Sequence, residues 1–180
     1  MVFIIIIVLV VLIAAFAVFA QRDLVSADEF CGNALSQIGV QQTSRWDALT
    51  SLAKMTQKYS DYEYETLMKI VRERKEISPK STAGDVDAQE SLMAQVSGRL
   101  VALAESYPEL KANTVYLSTM ESVNDYENKV RVSRMSYNDT VTKYNRLVRQ
   151  FPSGIFARIF GFQVRTYLQT DDSKKAMPEL

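Results

Sequence analysis

Residues 112–151, ANTVYLSTMESVNDYENKVRVSRMSYNDTVTKYNRLVRQF, decide the fold. The stretch holds neither Gly nor Pro, and Tyr116, Val123, Val130, Tyr137, Tyr144 and Phe151 recur at every seventh position, with Met120, Glu127, Arg134, Val141 and Val148 interleaved. Only side chains at i, i+3, i+4 and i+7 share one face of a helix, so this pattern predicts a single helix over about 111–151 with one inward stripe. At 1.5 Å per residue it is roughly 60 Å long. One helix cannot hide such a stripe alone, so others must pack on it.

Moving toward the N-terminus, Ser78 to Gly84 is the clearest loop, and Pro79, which lacks an amide donor, ends the helix before it. Asp85 or Asp87 can cap a helix over 85–106 that carries Leu92 or Met93, Val96, Leu100 and Leu103 inward and stops at Tyr107-Pro108. Ser60-Asp61-Tyr62-Glu63 fits a reciprocal capping box that opens a helix over 61–77 with Leu67, Ile70 and Val71 on its apolar face. Before it, Cys31, Leu35, Ile38, Arg45 or Trp46, Leu49, Leu52 and Tyr59 mark one face of a helix over 22–59, and Gln37, Gln41, Asp47, Lys54 and Lys58 mark the other. The competing reading is one continuous helix from residue 2 to about 77.

Val2 to Ala20 is an unbroken apolar run that, as a helix, spans nearly the ~30 Å hydrocarbon thickness. It predicts a transmembrane anchor over 1–21 that enters the bundle, 22–152, with little or no linker. A cleavable signal peptide competes, because Val18-Phe19-Ala20 resembles a cleavage site; against it, no Lys or Arg precedes the run. Arg22 among Asp23, Asp28 and Glu29 barely engages the positive-inside rule, so charge leaves the orientation open. The expected fold class is all-α, a transmembrane helix continuing into an elongated four-helix bundle.

Composition narrows the functions. With 21 basic and 21 acidic residues there is no global field to hold nucleic acid. A single cysteine, Cys31, and no histidine exclude most zinc sites, most acyl-transfer triads and a disulfide-stapled fold. No cofactor or metal is expected. Ser78 and Lys80 are the nearest thing to a nucleophile and base, and they lie in a loop.

Glu127 and Arg134 sit one heptad apart on the apolar stripe, with Asn128, Asn138 and Asn145 beside it. Buried charges need partners. A carboxylate metal site is one reading, and a hydrogen-bonded network that sets helix register is the other; the lack of histidine favours the second. The pairs Tyr137-Asn138 and Tyr144-Asn145 follow the same logic, rings inward and amides at the edge. Tyr137, Tyr144, Glu127 and Arg134 are the residues on which bundle integrity should depend. Beyond Pro152, the tail 153–180 gathers Ile155, Phe156, Ile159, Phe160, Phe162, Val164, Tyr167 and Leu168 with Arg158 and Arg165 before a polar end from Thr170. It is either a flap closing one end of the bundle or an aromatic-basic surface in the membrane interface, and the second gains if the long helix ends near the bilayer.

Tyr107-Pro108-Glu109-Leu110-Lys111-Ala112-Asn113, Glu127-Asn128, Arg134, Tyr137-Asn138, Tyr144-Asn145, Phe151-Pro152 and Gly161-Phe162 together resemble the LemA family of bacterial proteins. Ile38-Gly39-Val40-Gln41 and Arg45-Trp46-Asp47-Ala48-Leu49 are similar to earlier runs of that family, departing from its pattern at Gly39, Ser44, Thr50 and Ser51. The resemblance implies an N-terminal anchor, an up-and-down, bromodomain-like bundle placed in the cytoplasm, no established catalytic activity, and an association with membrane organisation, including magnetosome membranes. The expected function is therefore a non-enzymatic, single-pass protein of the cell membrane acting as an assembly scaffold. Its partners would be the lipid bilayer, further copies of itself and an unidentified protein. A membrane-tethered sensor of a small ligand is the alternative, and a membrane hydrolase a third.

Overall fold

The computed structural model describes residues 1–169; the polar end from Thr170 to Leu180 lies outside the described residues. Six helices follow in order: α1 Val2–Thr56, α2 Asp61–Val71, α3 Ala83–Ser106, the single turn α4 Pro108–Lys111, α5 Thr114–Arg149 and α6 Ser153–Phe160. Among the described residues there is no strand, so the all-α expectation holds.

α1 runs unbroken from the apolar run into the bundle, straight through Val18-Phe19-Ala20. It is the one described helix long and apolar enough to cross a membrane, and no residue of its apolar window is buried among the described residues. From Leu24 onward α1 carries its own seam. Leu24, Cys31, Ile38, Arg45 and Leu52 fall seven apart, Leu35, Gln42, Leu49 and Thr56 interleave, and every one of them is buried. α5 lies antiparallel against this seam, because Trp46 and Leu49 of α1 share a cluster with Tyr116 and Val123 while Cys31 and Leu35 share another with Tyr137, Val141 and Tyr144. Two complementary stripes thus bury each other along the length of α5.

The helix ends differ from expectation in ways that packing explains. α1 stops at Thr56, which rules out one helix to residue 77, and Ser60 then caps α2 by accepting from the Glu63 amide at 3.2 Å. Glu63 does not reach back; its carboxylate lies 3.8 Å from Arg99. α2 ends at Val71 rather than 77. Residues 72–82 instead form a loop that presses its backbone on α1: a Cβ at Gly39 would stand 2.3 Å from the Ile77 carbonyl oxygen, and one at Gly32 3.3 Å from Pro79 Cβ. Ile77 is thereby buried, and the Lys75 amide donates to Gln89 Oε1 at 2.9 Å. The cap of α3 is Thr82, with Asp85 as the reciprocal member of a capping box, not Asp85 or Asp87.

α5 begins at Thr114, not 111, because Pro108 nucleates the separate turn α4 and Asn113 Oδ1 accepts from the amides of Val115 and Tyr116. It ends at Arg149 rather than 151. Ser153 donates its hydroxyl to the carbonyls of Leu147 and Gln150 at 2.7 and 3.0 Å, reversing the chain early, so Phe151, expected on the inward stripe, is 78% exposed. α6 follows, closed by Gly161 at φ 79°, a left-handed cap that favours glycine. Residues 162–169 then run in extended form back along α5.

Candidate functional site

A polar layer divides the core. Above it lies the cluster around Trp46, Leu67, Met93 and Leu110; below it lies the cluster around Leu35, Ile38, Val86 and Val141. Arg45, 3% exposed, reaches across from α1: Nη1 donates to Glu90 Oε2 of α3 at 3.0 Å and Nη2 to Glu127 Oε2 of α5 at 2.8 Å. Gln42 Nε2 donates to the other Glu90 oxygen at 2.8 Å. Trp46 Nε1 donates to Gln89 Oε1 at 3.2 Å. One guanidinium thus ties three helices at a single level, and any slip of α5 by a turn, 5.4 Å, would separate Glu127 from it.

One heptad along, Arg134 serves a different purpose. It donates to Asp87 Oδ1 of α3 at 2.7 Å and to the carbonyl of Gln169. Beyond it the Tyr-Asn pairs grip the extended tail. Asn138 donates to the Leu168 carbonyl at 3.1 Å and accepts from the Leu168 amide at 2.9 Å. Asn145 does the same with Arg165, at 2.9 and 2.8 Å. Tyr137 and Tyr144 donate their hydroxyls to the carbonyls of Thr166 and Gln163 at 3.2 and 2.7 Å. Each asparagine therefore imitates a neighbouring strand, satisfying one residue's amide and carbonyl together. Arg165 closes the strap onto α1 through Asp28 at 2.8 Å, with its guanidinium 5.9 Å from the Tyr144 ring centroid.

Burial and charge tune these groups. Desolvation pushes Tyr137 and Tyr144 above the usual phenol range, and it pushes the Cys31 thiol up as well. The hydrogen bond to Asp28 raises Arg165 further.

The ten residues singled out in the sequence divide accordingly. Glu127 joins the polar layer; Arg134, Tyr137, Asn138, Tyr144 and Asn145 hold the strap; Phe162 packs against the lower cluster at the strap's start. Asn128 lies on the exposed side of α5, in neither group. Phe156 sits against the apolar N-terminal part of α1, 5.6 Å from the Phe16 ring, and Phe160 stacks on Phe156 at 6.4 Å. Sequence reasoning missed Gln42, Glu90, Asp87 and Asp28, and left Arg45 undecided against Trp46. The signal for Gln42 and Arg45 was present: both fall on the seam of α1 as Glu127 falls on that of α5. Ser78 Oγ lies 3.5 Å from Ser81 Oγ and accepts from the Lys80 amide at 3.4 Å, an ordinary turn. Among the described residues no cluster of three His, Cys, Asp or Glu is placed to hold a metal ion. An open polar cleft of about 530 Å³ lies where Asp28, Asn33, Lys80 and Arg165 converge.

A family model described as LemA family matches residues 34–180. The chain is similar to magnetosome protein MamQ 2 of Paramagnetospirillum magneticum, 32% identical over 72 residues, covering 40% of this chain and 26% of that protein. It is also similar to magnetosome protein MamQ of Magnetospirillum gryphiswaldense, 32% identical over 66 residues, covering 37% and 24%. Against Protein LemA of Metamycoplasma hominis it is 27% identical over 123 residues, covering 66% of this chain and 55% of the other. The chain thus spans from about a quarter to about half the length of these curated relatives.

Proposed function

The chain belongs to the LemA family, and from that premise we propose that this membrane-associated helical protein is a non-enzymatic scaffold that assembles laterally to organise or curve the bilayer. The observation that carries the reading is the unbroken course of α1 from Val2 to Thr56, which makes anchor and bundle one stiff body. A flexible tether would let the bundle tumble, whereas a stiff one transmits the bundle's lateral contacts to the lipid. The magnetosome relatives support a role at a membrane. The bundle is assigned to the cytoplasmic side, as the family resemblance implies, and its partners are the bilayer, other copies of the chain and an unidentified protein.

Native mass measurement and imaging of the full chain in lipid vesicles test this. Defined oligomers on deformed vesicles are the expected result, and monomers on unaltered vesicles overturn it. The second reading, a tethered sensor, is favoured by the polar cleft beside Asp28 and Arg165, where a ligand could pull on the strap. Reproducible stabilisation by a small molecule in a thermal-shift screen of the full chain, lost on Arg165→Ala, would support it.

A further inference from the structure

α6 presents an apolar face that no other described residue covers. Ile155, Ile159 and Phe160 are 51%, 69% and 41% exposed, and Phe151, just before the helix, joins them. Ala157, on the far side of the helix, is completely buried, and Phe156, which falls between Ile159 and Phe160 around the helix, brings its ring 5.6 Å from Phe16 of α1. That contact fixes a depth. Phe16 stands four residues before Ala20, the end of the apolar run, and six before Arg22, its first charged neighbour. At 1.5 Å per residue, Phe16 lies about 6 Å inside the level of Ala20 and about 9 Å inside that of Arg22. Amphipathic helices in the boundary between headgroups and acyl chains bury their apolar faces by ~5–10 Å.

We infer that α6 is embedded side-on in the leaflet that α1 leaves on entering the bundle, with Ile155, Ile159 and Phe160 in contact with acyl chains. The occupant is lipid because the exposed face is continuous with the exposed surface of the anchor through Phe16, and because of the charges around it. Arg146 and Arg149 in the last turn of α5 and Arg158 in that of α6 are exposed and placed to meet anionic headgroups. The helix is held at both ends, by the Ser153 hydrogen bonds before it and by Gly161 and the asparagine-gripped strap after it. It therefore enters the leaflet as a fixed wedge, adding cross-section to one leaflet alone. This rests on the reading of α1 as a membrane anchor.

The test uses the full chain with Cys31→Ala, reconstituted in vesicles of phosphatidylcholine and phosphatidylglycerol. Single cysteines introduced by Ile159→Cys, Val10→Cys or Val132→Cys carry an environment-sensitive fluorophore, and lipids spin-labelled near the headgroup or near the bilayer centre act as quenchers. Ile155→Cys replaces Ile159→Cys should that chain fail to give a helical spectrum. The expected result is blue-shifted emission at position 159 with about twofold stronger quenching by the shallow label than by the deep one, as for an interfacial helix. Position 10 should be quenched by the deep label, and position 132, on the outer face of α5, by neither. Quenching at position 10 without quenching at position 159 overturns the wedge and leaves the anchor standing. Blue-shifted but unquenched emission at 159 places a second copy on the face and overturns it likewise. No quenching at position 10 removes the anchor itself.

Discussion

Arg45 is the side chain whose loss the core should tolerate least. Arg45→Ala leaves Glu90 and Glu127, 23% and 33% exposed, facing a guanidinium-sized void, and removing one partner from a buried pair costs about 3 kcal/mol. Glu127→Gln keeps an acceptor for Arg45 at a better-hydrated position and should cost about 1 kcal/mol. Denaturant unfolding of the full chain in detergent, followed by helical signal, checks both, and equal effects would refute the layer. The sequence announced Glu127 because a carboxylate interrupts an apolar stripe. It could not announce Arg45 as the partner, since 82 residues separate the two and only the register of α1 against α5 joins them.

At the scale of elements, two connections carry consequences that periodicity could not reveal. Loop 72–82 replaces the expected last turns of α2 because α1 offers glycine where the loop crosses it. Gly39→Ala should therefore destabilise the chain by about 1–3 kcal/mol, since the obstructing atom is a backbone oxygen. Gly32→Ala meets only the edge of Pro79 and should cost less; thermal melts of the two variants decide. The strap is the other case. Asn138→Ala with Asn145→Ala removes four hydrogen bonds to backbone, two per asparagine, while leaving the helical stripe intact. If about 2 kcal/mol of local stability is lost, amide exchange over 162–169 rises roughly thirty-fold. Exchange in α5 should stay unchanged. Helices α1, α2, α3 and α5 were legible from spacing and punctuation, whereas α6, read only as part of an apolar tail, and the strap were not: the strap's partners are side chains on a helix rather than a neighbouring strand.

For the whole molecule, the buried phenols make stability depend on alkaline pH. Tyr137 and Tyr144 keep their protons in the folded chain to a pH above the value near 10 at which the unfolded chain releases them. Below about pH 10 both states hold the protons and the contribution is complete; as pH rises through the folded values, the unfolded state binds fewer protons and stability falls. Melting temperature should thus decline above about pH 10, and Tyr137→Phe with Tyr144→Phe should flatten that decline. A decline of equal steepness in the double variant would assign it to other groups.

Because α1 is a single piece, the apolar segment proposed to anchor the chain and the distal tip are the two arms of one lever. From Ala20 to Thr56 the outer arm is about 54 Å long. Membrane helices answer a change in hydrocarbon thickness by leaning, commonly by about 20°, and an arm of that length then sweeps its tip sideways by about 18 Å. Small differences in bilayer thickness are thereby magnified into large displacements at the Thr56 end of α1.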